Sequence, residues 1–460
     1  MSSQLYQSLN PFTEEVFEEF ALTSDDKLQN SLQQLSFSQK QWSTVSLAKK
    51  QLALAQLKIE LIENIETLAE LITKEMGKPL SQSRAEIEKC TTLCDYYYNI
   101  QPSVFEEVQY IDDAKTIISY KPLGIILLIM PWNFPLWQVL RCAIPALLMG
   151  NAILLKHAPN VPGCSLFIEK IFTKAFSHFS IDYPLLKSCF VSNETAAELI
   201  DSPIIQGVSL TGSTNAGKIV ASLCGKAVKK CVLELGGSDA YILLEDAELS
   251  KAIDACVTSR LLNTGQSCIS AKRFIVHRRL LNDFTEGMRA SFEKKTFGDP
   301  MLSFDLGTIA RKDLRDGLHS QVIRAIETGA KCIIGGYIPE QKGFFYPPTI
   351  VTNVTPKTSS FLEELFGPVA QIISAENDED ALELANNSSF GLGGAIFSRD
   401  EEYAQNIALN YFQTGSVAIN DFLRSDARLP FGGIKESGFG REMGIQGLRE
   451  FSNCKTIRFS

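Results

Sequence analysis

Residues 207–235 read GVSLTGSTNAGKIVASLCGKAVKKCVLEL, and this stretch decides the fold class. Its first four residues form a short apolar run, 213–223 have the spacing of a helix, and 231–235 form a second apolar run. A strand, a helix and a strand in this order form the unit from which parallel sheets are built. The stretch therefore predicts an α/β protein.

The same alternation extends along the chain in both directions. Strand-like runs occupy 125–130 and 152–155, with a helical pattern over 161–179, and a second alternation covers 273–419. Nearer the N-terminus, leucine and isoleucine at helical spacing predict one long helix over 44–76. We therefore predict two doubly wound, Rossmann-like α/β lobes.

Composition and charge exclude several classes of protein. Of 460 residues, 45% are hydrophobic and 21% charged, which is typical of a globular chain, and the net charge of −9 disfavours nucleic-acid binding. The N-terminus lacks the pattern of a signal peptide. The uncharged stretch 122–140 contains Pro131 and Pro135, so it predicts a buried strand and a loop rather than a membrane span. We expect a cytoplasmic protein with no membrane partner.

The chain has 11 cysteines but only four histidines. The cysteine spacing does not resemble a disulfide framework, and there is no CxxC pair or HExxH motif, so no metal site is expected. A GxSxG elbow is also missing, which excludes the usual serine hydrolases. A catalytic cysteine in this chain would have to work without an obvious histidine base.

The turn after the first apolar run of 207–235 is a candidate phosphate site. Gly212 permits a tight turn, and Ser213 can cap a helix whose free backbone N–H groups would face an anion. Residues 212–218 also nearly match the P-loop of nucleoside triphosphatases. However, Ile219 stands where a serine or threonine would bind magnesium, which disfavours that alternative. A purely structural turn between strand and helix has the same appearance.

Three residues of different chemistry are candidates for catalysis. Cys268 lies in the small polar stretch 263–270, where its sulfur can be accessible, although most cysteines are buried packing residues. Glu234 interrupts the apolar run 231–235, so it is either a general base with a raised pKa or a carboxylate bound by backbone donors. Asn133 is either a turn residue or an amide that binds an oxyanion.

Two cationic residues lie in apolar segments. Lys156 ends the run 152–155, where it is either a solvated strand end or part of a nucleotide site at the carboxyl edge of the sheet. Arg141 lies eight residues after Asn133 in an apolar helical pattern. A guanidinium in such surroundings needs an anion, which an internal salt bridge or a ligand could supply.

Five motifs together resemble those of the aldehyde dehydrogenase superfamily, in the family's order and over nearly the whole chain. They are Pro131-Trp-Asn-Phe-Pro135, Leu233-Glu-Leu-Gly-Gly237, Gly265-Gln-Ser-Cys268, Glu364-Leu-Phe-Gly-Pro368 and Phe431-Gly-Gly-Ile-Lys-Glu-Ser-Gly438. The resemblance implies that an aldehyde is oxidised to a carboxylic acid through a thioester on Cys268. Asn133 and the Cys268 N–H would form the oxyanion hole, and Glu234 would activate water.

The resemblance also implies a nicotinamide cofactor, NADP or NAD. The residues implied to contact it are Gly212 and Ser213 at the pyrophosphate, Trp132 and Lys156 on the adenosine side, and Glu364 and Phe366 at the nicotinamide. Relatives that prefer NAD often carry a glutamate three residues after this lysine, where the chain has Pro159. We therefore expect NADP to be accepted.

Within the superfamily the chain resembles the succinate-semialdehyde dehydrogenases most, through 75–79, 156–160 and 425–428. In that subgroup an arginine at the position of Arg141 binds the far carboxylate of the substrate, and Arg424 and Ser425 are further candidates for the same pocket. The alternatives are glutarate semialdehyde, a neutral aliphatic aldehyde, or a non-enzymatic protein that has kept the fold.

The resemblance also divides the chain into domains and implies an oligomer. Residues 1–107 and 123–233 would form the cofactor-binding domain, and 234–434 the catalytic domain. The segments 108–122 and 435–460 would form a small β flap that pairs between subunits. We therefore expect a homodimer or a homotetramer.

Overall fold

The computed structural model describes residues 5–112, 114–179 and 184–459. In these residues the α-helices are, in chain order, Asp25–Thr44 (α1), Leu47–Glu63 (α2), Ile65–Met76 (α3), Leu80–Tyr98 (α4), Trp137–Met149 (α5), Pro162–Phe176 (α6), Asn193–Asp201 (α7), Thr214–Lys226 (α8), Leu249–Leu261 (α9), Leu281–Glu293 (α10), Lys312–Glu327 (α11), Asp378–Asn386 (α12), Glu401–Asn410 (α13) and Gly444–Glu450 (α14). Short 3-10 helices lie at Pro102–Val104, Ser177–Phe179, Leu262–Gly265 and Ser359–Phe361.

The strands of the described residues form three larger sheets and two two-stranded sheets. In chain order they are Tyr6–Asn10 (β1), Glu15–Phe20 (β2), Glu106–Ile111 (β3), Ala114–Pro122 (β4), Ile125–Met130 (β5), Ala152–His157 (β6), Leu186–Ser188 (β7), Ile205–Thr211 (β8), Lys230–Glu234 (β9), Ala240–Leu243 (β10), Arg273–His277 (β11), Lys331–Ile334 (β12), Thr349–Thr352 (β13), Val369–Ala375 (β14), Phe390–Gly391 (β15), Gly393–Phe397 (β16), Ser416–Ile419 (β17), Ile434–Lys435 (β18), Gly438–Phe439 (β19) and Ser452–Arg458 (β20). The two-stranded sheets are β1-β2 and β15-β18.

The first large sheet has the strand order β19-β9-β8-β5-β6-β7. Strands β5 to β9 are parallel, whereas β19 pairs antiparallel with β9. The first strand of this sheet in the chain, β5, lies in its middle. The chain then adds β6 and β7 on one side of β5 and returns to add β8 on the other side. In such sheets a ligand binds outside the carboxyl ends of the two strands where the order reverses, here β5 and β8.

The second large sheet has the order β12-β13-β14-β11-β10-β16-β17, parallel from β13 to β17. Alternate residues of its central strand β10 face opposite sides. Ala240 and Ile242 belong to one hydrophobic core, and Tyr241 and Leu243 to another. A core on each face is what a doubly wound sheet requires. The predicted fold class, two doubly wound α/β lobes, is therefore confirmed.

The third sheet is antiparallel, with the order β20-β4-β3. Of the predicted flap segment 108–122, residues 108–111 lie in β3 and 114–122 in β4, and residue 113 lies outside the described residues. Only the last part of the second predicted segment, 435–460, lies in this sheet as β20, because β19 pairs with the first large sheet and α14 lies between the two strands. The division of the chain into domains at the predicted boundaries stays a prediction.

The prediction of one long helix over 44–76 is wrong, because residue 44 ends α1, residues 45–46 are not helical, and the remainder is divided into α2 and α3. Helix α2 ends at Glu63 and α3 begins at Ile65, and Asn64 between them has φ −108° and ψ 12°. The Asn64 Nδ2 donates a hydrogen bond to the Glu60 carbonyl oxygen at 2.8 Å. A side chain that binds the preceding turn in this way competes with the regular helix.

Helix α5 is buried along its whole length, from Trp137 to Met149. It follows β5, so the uncharged stretch 122–140 forms a strand, a turn and the start of this core helix. Among the described residues, none of the helices has the length and apolar character needed to cross a membrane.

Candidate active site

The loop after β5 holds an asparagine against the loop of the candidate nucleophile. Residues 131–135 leave the carboxyl end of β5 and lead into α5. The Asn133 side chain is buried, and its Nδ2 donates to the Gln266 carbonyl oxygen at 3.1 Å. Asn263 Nδ2 in turn donates to the Asn133 carbonyl oxygen at 2.7 Å. Since an amide nitrogen has two N–H donors, a further bond to a substrate oxygen is chemically possible.

Cys268 follows a tight and strained turn. The 3-10 helix Leu262–Gly265 precedes it, and the two central residues of that helix have φ of 55° and 54°. At Gly265, where φ is 73°, a Cβ would lie 2.3 Å from the carbonyl oxygen of Gly367, so the position requires glycine. The Cys268 side chain is half-buried. Within the described residues, its backbone N–H donates to no acceptor, which leaves it for an oxyanion.

Burial raises the pKa of the Cys268 thiol to about 11, although the charges of Arg141 and Lys272 oppose the shift. The thiol is therefore protonated at neutral pH in the absence of substrate. The Lys272 ammonium is close by, since it donates to the Cys268 carbonyl oxygen at 2.5 Å. A base must accept the thiol proton before the sulfur can act as a nucleophile.

Glu234, the last residue of β9, is a buried carboxylate of the kind that can act as a general base toward water. It is 2% exposed, and neither carboxylate oxygen has a hydrogen-bond partner in the described part of the chain. Burial, and secondarily the charge of Glu442, raises the pKa of Glu234 well above its usual value, although Arg141 and Arg441 oppose this. A carboxylate with an elevated pKa takes up a proton near neutral pH.

Arg141 on α5 makes the internal salt bridge that the sequence left as one of two alternatives. Its Nε is paired with the Glu442 carboxylate, and Nη2 donates to Thr211 Oγ1 at 3.2 Å. The guanidinium also lies 4.8 Å from the centre of the Phe431 ring. The charge of Arg141 is therefore neutralised within the protein, which accounts for a buried arginine in this helix.

A cavity of about 320 Å³ opens beside the cysteine. Cys268, Arg141, Arg424 and Ser425 line it, whereas Asn133 and Glu234 lie outside its lining. Of the three predicted substrate residues, Ser425 accepts a hydrogen bond from Lys89 Nζ at 2.6 Å, and Arg424 is paired with Asp421 at 3.1 Å. The structure thus brings the predicted nucleophile and all three predicted substrate residues to one cavity.

A second group of predicted residues lies at the carboxyl edge of the first large sheet, where a nucleotide is expected. Ser213 follows β8, and its Oγ accepts from the Ala216 N–H at 3.3 Å, which caps α8 as predicted. Lys156, near the end of β6, is 7% exposed, and no described residue forms a hydrogen bond or an ion pair with its ammonium. A buried cation without a partner fits the hydroxyl and phosphate oxygens of a dinucleotide.

The last two predicted cofactor residues lie between this edge and the cysteine. Glu364 Oε1 accepts from the Gly237 N–H at 3.1 Å and is 3.3 Å from Lys272 Nζ. The Phe366 ring meets the Trp132 ring edge-on, at a centroid distance of 5.8 Å. Lys272 also binds the Cys268 carbonyl, so a ligand that touches Glu364 and Phe366 would lie close to the sulfur.

The chain matches the model of the aldehyde dehydrogenase family over residues 1–457. The chain belongs to this family. It is 43% identical over 452 residues to the succinate semialdehyde dehydrogenase (NAD(P)+) Sad of Escherichia coli (strain K12), covering 98% of this chain and 97% of that one. It is 44% identical over 391 residues to a probable succinate-semialdehyde dehydrogenase (NADP(+)) of Synechocystis sp., covering 85% of each.

A solved structure is similar throughout. The succinic semialdehyde dehydrogenase of Streptococcus pyogenes, in complex with NADP+ as the cofactor, has a TM-score of 0.94 and 33% sequence identity, covering 98% of this chain and 99% of that one. The resemblance read from the five motifs is thereby confirmed. In the described residues of this aldehyde dehydrogenase, no group of three or more histidine, cysteine or acidic side chains is placed to hold a metal ion.

Several residues around the site were missed by the sequence analysis. Gln266 and Asn263 hold Asn133, and Lys272 joins the cysteine loop to Glu364. Gln266 and Asn263 belong to the polar stretch 263–270, so the amide side chains of that stretch were a signal that could have found them. No sequence pattern pointed to Glu442 as a site residue, because only the packing of distant segments places it beside Arg141.

Proposed function

We propose that this aldehyde dehydrogenase oxidises succinic semialdehyde to succinate, with NADP or NAD as the hydride acceptor. The observation that carries the proposal is a cavity that joins a candidate nucleophile, Cys268, to cationic side chains able to bind a carboxylate. The names of relatives 43% and 44% identical to the chain support the same substrate. The alternatives are glutarate semialdehyde and neutral aliphatic aldehydes.

In the first half of the reaction, Cys268 gives its proton to solvent and its sulfur bonds to the aldehyde carbon. The carbonyl oxygen becomes an oxyanion, to which the Asn133 amide and the Cys268 N–H would donate. When bound, the nicotinamide cofactor accepts the hydride that leaves this carbon, and a thioester remains on the sulfur. The residues that would hold the cofactor are Lys156, Trp132, Gly212, Ser213, Glu364 and Phe366.

In the second half, water releases the product. Glu234 would take a proton from water, which attacks the thioester carbon. The carbon–sulfur bond breaks, the carboxylic acid forms, and the Cys268 thiolate is restored. The raised pKa of Glu234 suits it to this step, because a more basic carboxylate holds the proton taken from water more firmly than an ordinary carboxylate would.

The test is a panel of aldehydes with each cofactor, followed through the absorbance of the reduced nicotinamide. We expect kcat/KM for succinic semialdehyde to exceed that for butyraldehyde, a neutral aldehyde of equal length, by at least about tenfold. Glutarate semialdehyde tests the chain length. We expect activity with NADP because Pro159 has no carboxylate to repel a 2′-phosphate. Strict use of NAD would contradict the proposal that NADP is accepted. Equal kcat/KM values for succinic semialdehyde and butyraldehyde would contradict the proposed substrate.

We also propose a cytoplasmic homodimer or homotetramer that pairs through the β20-β4-β3 sheet. Strand β3 is an edge strand with exposed apolar side chains, including Val108, Tyr110 and Ile111, which a partner strand could cover. All eleven cysteines are free thiols, as is usual in a reducing compartment. Light scattering that gives a mass near the 50.9 kDa of a single chain would contradict the oligomer.

A further inference from the structure

We propose that Lys89 binds the distal carboxylate of the substrate and is thereby the main determinant of specificity for a semialdehyde acid. This inference rests on the proposed function and names the residue behind its substrate preference. Lys89 has no feature in the sequence that marks it as a functional residue. It differs from the other cations of the cavity in its partners.

Helix α4 places Lys89 in the wall of the cavity. Gln82, Ala85, Glu86 and Lys89 all line it, and their spacing of three, four and seven residues puts them on one face of α4. The charged residue nearest to Lys89 on this face is Glu86, whose carboxylate is already occupied. Its Oε1 accepts the N–H groups that begin α5, at 2.8 and 2.9 Å, and its Oε2 is paired with the buried Lys78.

Three cationic side chains line the cavity, and two of them already have a carboxylate partner. Arg141 is paired with Glu442, and Arg424 with Asp421. Lys89 has none: among the residues that the structure describes, no carboxylate oxygen lies within 4.0 Å of its ammonium. It is therefore the cation whose charge is still available to a bound anion.

The contacts of Lys89 hold its ammonium at the cavity without using its full capacity. The Nζ donates to Ser425 Oγ at 2.6 Å and lies 4.2 Å from the centre of the Trp137 ring. An ammonium has three N–H donors, so two are left for a ligand. Ser425 can donate its own hydroxyl proton to the same ligand, which gives this predicted substrate residue a role beside the lysine.

Burial lowers the pKa of Lys89 to about 8; Arg141 contributes to this, whereas Cys90, Glu86 and Asp426 oppose it. The lysine is still mostly cationic at pH 7, by about ten to one. A half-buried cation that lacks a counter-ion gains from any carboxylate that enters the cavity. A neutral aldehyde such as butyraldehyde gains nothing from it.

The test replaces the lysine by the uncharged Lys89→Met, of similar length. We expect KM for succinic semialdehyde to rise about 10- to 100-fold, as for the loss of a charged hydrogen bond, with kcat nearly unchanged. For butyraldehyde, kcat/KM should change less than about threefold. Lys89→Arg should restore much of the affinity. The control is Lys58→Met on α2, which removes a half-buried lysine paired with Asp95 outside the cavity.

The pH dependence of KM is a readout that a structural lysine would not give. In the wild-type enzyme, Lys89 is charged below its pKa and neutral above it. KM for succinic semialdehyde should therefore rise as the pH passes through about 8, and KM for butyraldehyde should not. Lys89→Met should lack this rise.

Equal losses with the acidic and the neutral aldehyde, or an unchanged KM for succinic semialdehyde, would overturn the role of Lys89. If the wild-type enzyme shows no preference for succinic semialdehyde, the proposed function fails. In that case, inhibition of butyraldehyde oxidation by succinate tests separately whether Lys89 binds a carboxylate. If the inhibition constant of succinate is at least about tenfold larger in Lys89→Met than in the wild type, the carboxylate site is supported. An equal constant in the two enzymes overturns it.

Discussion

Glu234→Gln is expected to give a rapid burst of reduced cofactor, about one per active site, followed by turnover that is roughly 10²- to 10⁴-fold slower than in the wild type. Glutamine keeps the size of the side chain, so β9 and its surroundings should be preserved. It cannot take a proton from water, however, and the thioester on Cys268 should accumulate. The burst therefore separates formation of the thioester from its hydrolysis.

Stopped-flow absorbance of the reduced nicotinamide measures both phases, and mass spectrometry of the quenched protein detects the acyl group. Glu376→Gln is a suitable control, because Glu376 is an exposed carboxylate paired with Arg278. If the burst disappears together with turnover, Glu234 acts before the thioester forms, and its role in hydrolysis is wrong.

The pH dependence of the slow step follows from the burial of Glu234. Burial raises the pKa of this carboxyl, so its basic form is depleted at low pH and grows as the pH rises. Wild-type hydrolysis should therefore accelerate with pH at values above those at which an ordinary carboxylate titrates. The residual turnover of Glu234→Gln should lack this particular rise.

Cys268→Ala is expected to lower kcat/KM by roughly 10⁴- to 10⁶-fold with every aldehyde, since no covalent intermediate can form. Only one sulfur atom is removed, from a half-buried side chain, so the fold should be retained. Steady-state kinetics measures the loss, and the thermal unfolding midpoint verifies the fold.

Cys332→Ala is the matched control, because Cys332 is also half-buried but lies on β12 in the second large sheet. It should retain wild-type activity. If Cys268→Ala kept more than about 1% of the wild-type kcat/KM, a covalent role for this sulfur would be contradicted.

The sequence alone determined much of the framework. The stretch 207–235 predicted a strand, a turn and a helix, and the structure has β8, a turn with the Ser213 cap, and α8 there, followed by β9. Such elements are predictable because hydrophobic periodicity and capping are local properties of the chain. The five motifs likewise identified the family, since each is a continuous run of residues. The division of 44–76 at Asn64 was missed, because the side-chain bond from Asn64 to Glu60 leaves no mark in the hydrophobic periodicity.

Only the tertiary structure decided how the charges of the site are distributed. The sequence indicated that Arg141 needs an anion. It did not indicate that Glu442, in the segment before α14, supplies this anion. It gave no reason to select Lys89, whose partner Ser425 lies 336 residues away in the chain. Whether a buried charge is paired depends on which distant segments pack around it. Spacing along the chain carries no information about that packing, so the cation left without a carboxylate could be found only in the folded protein.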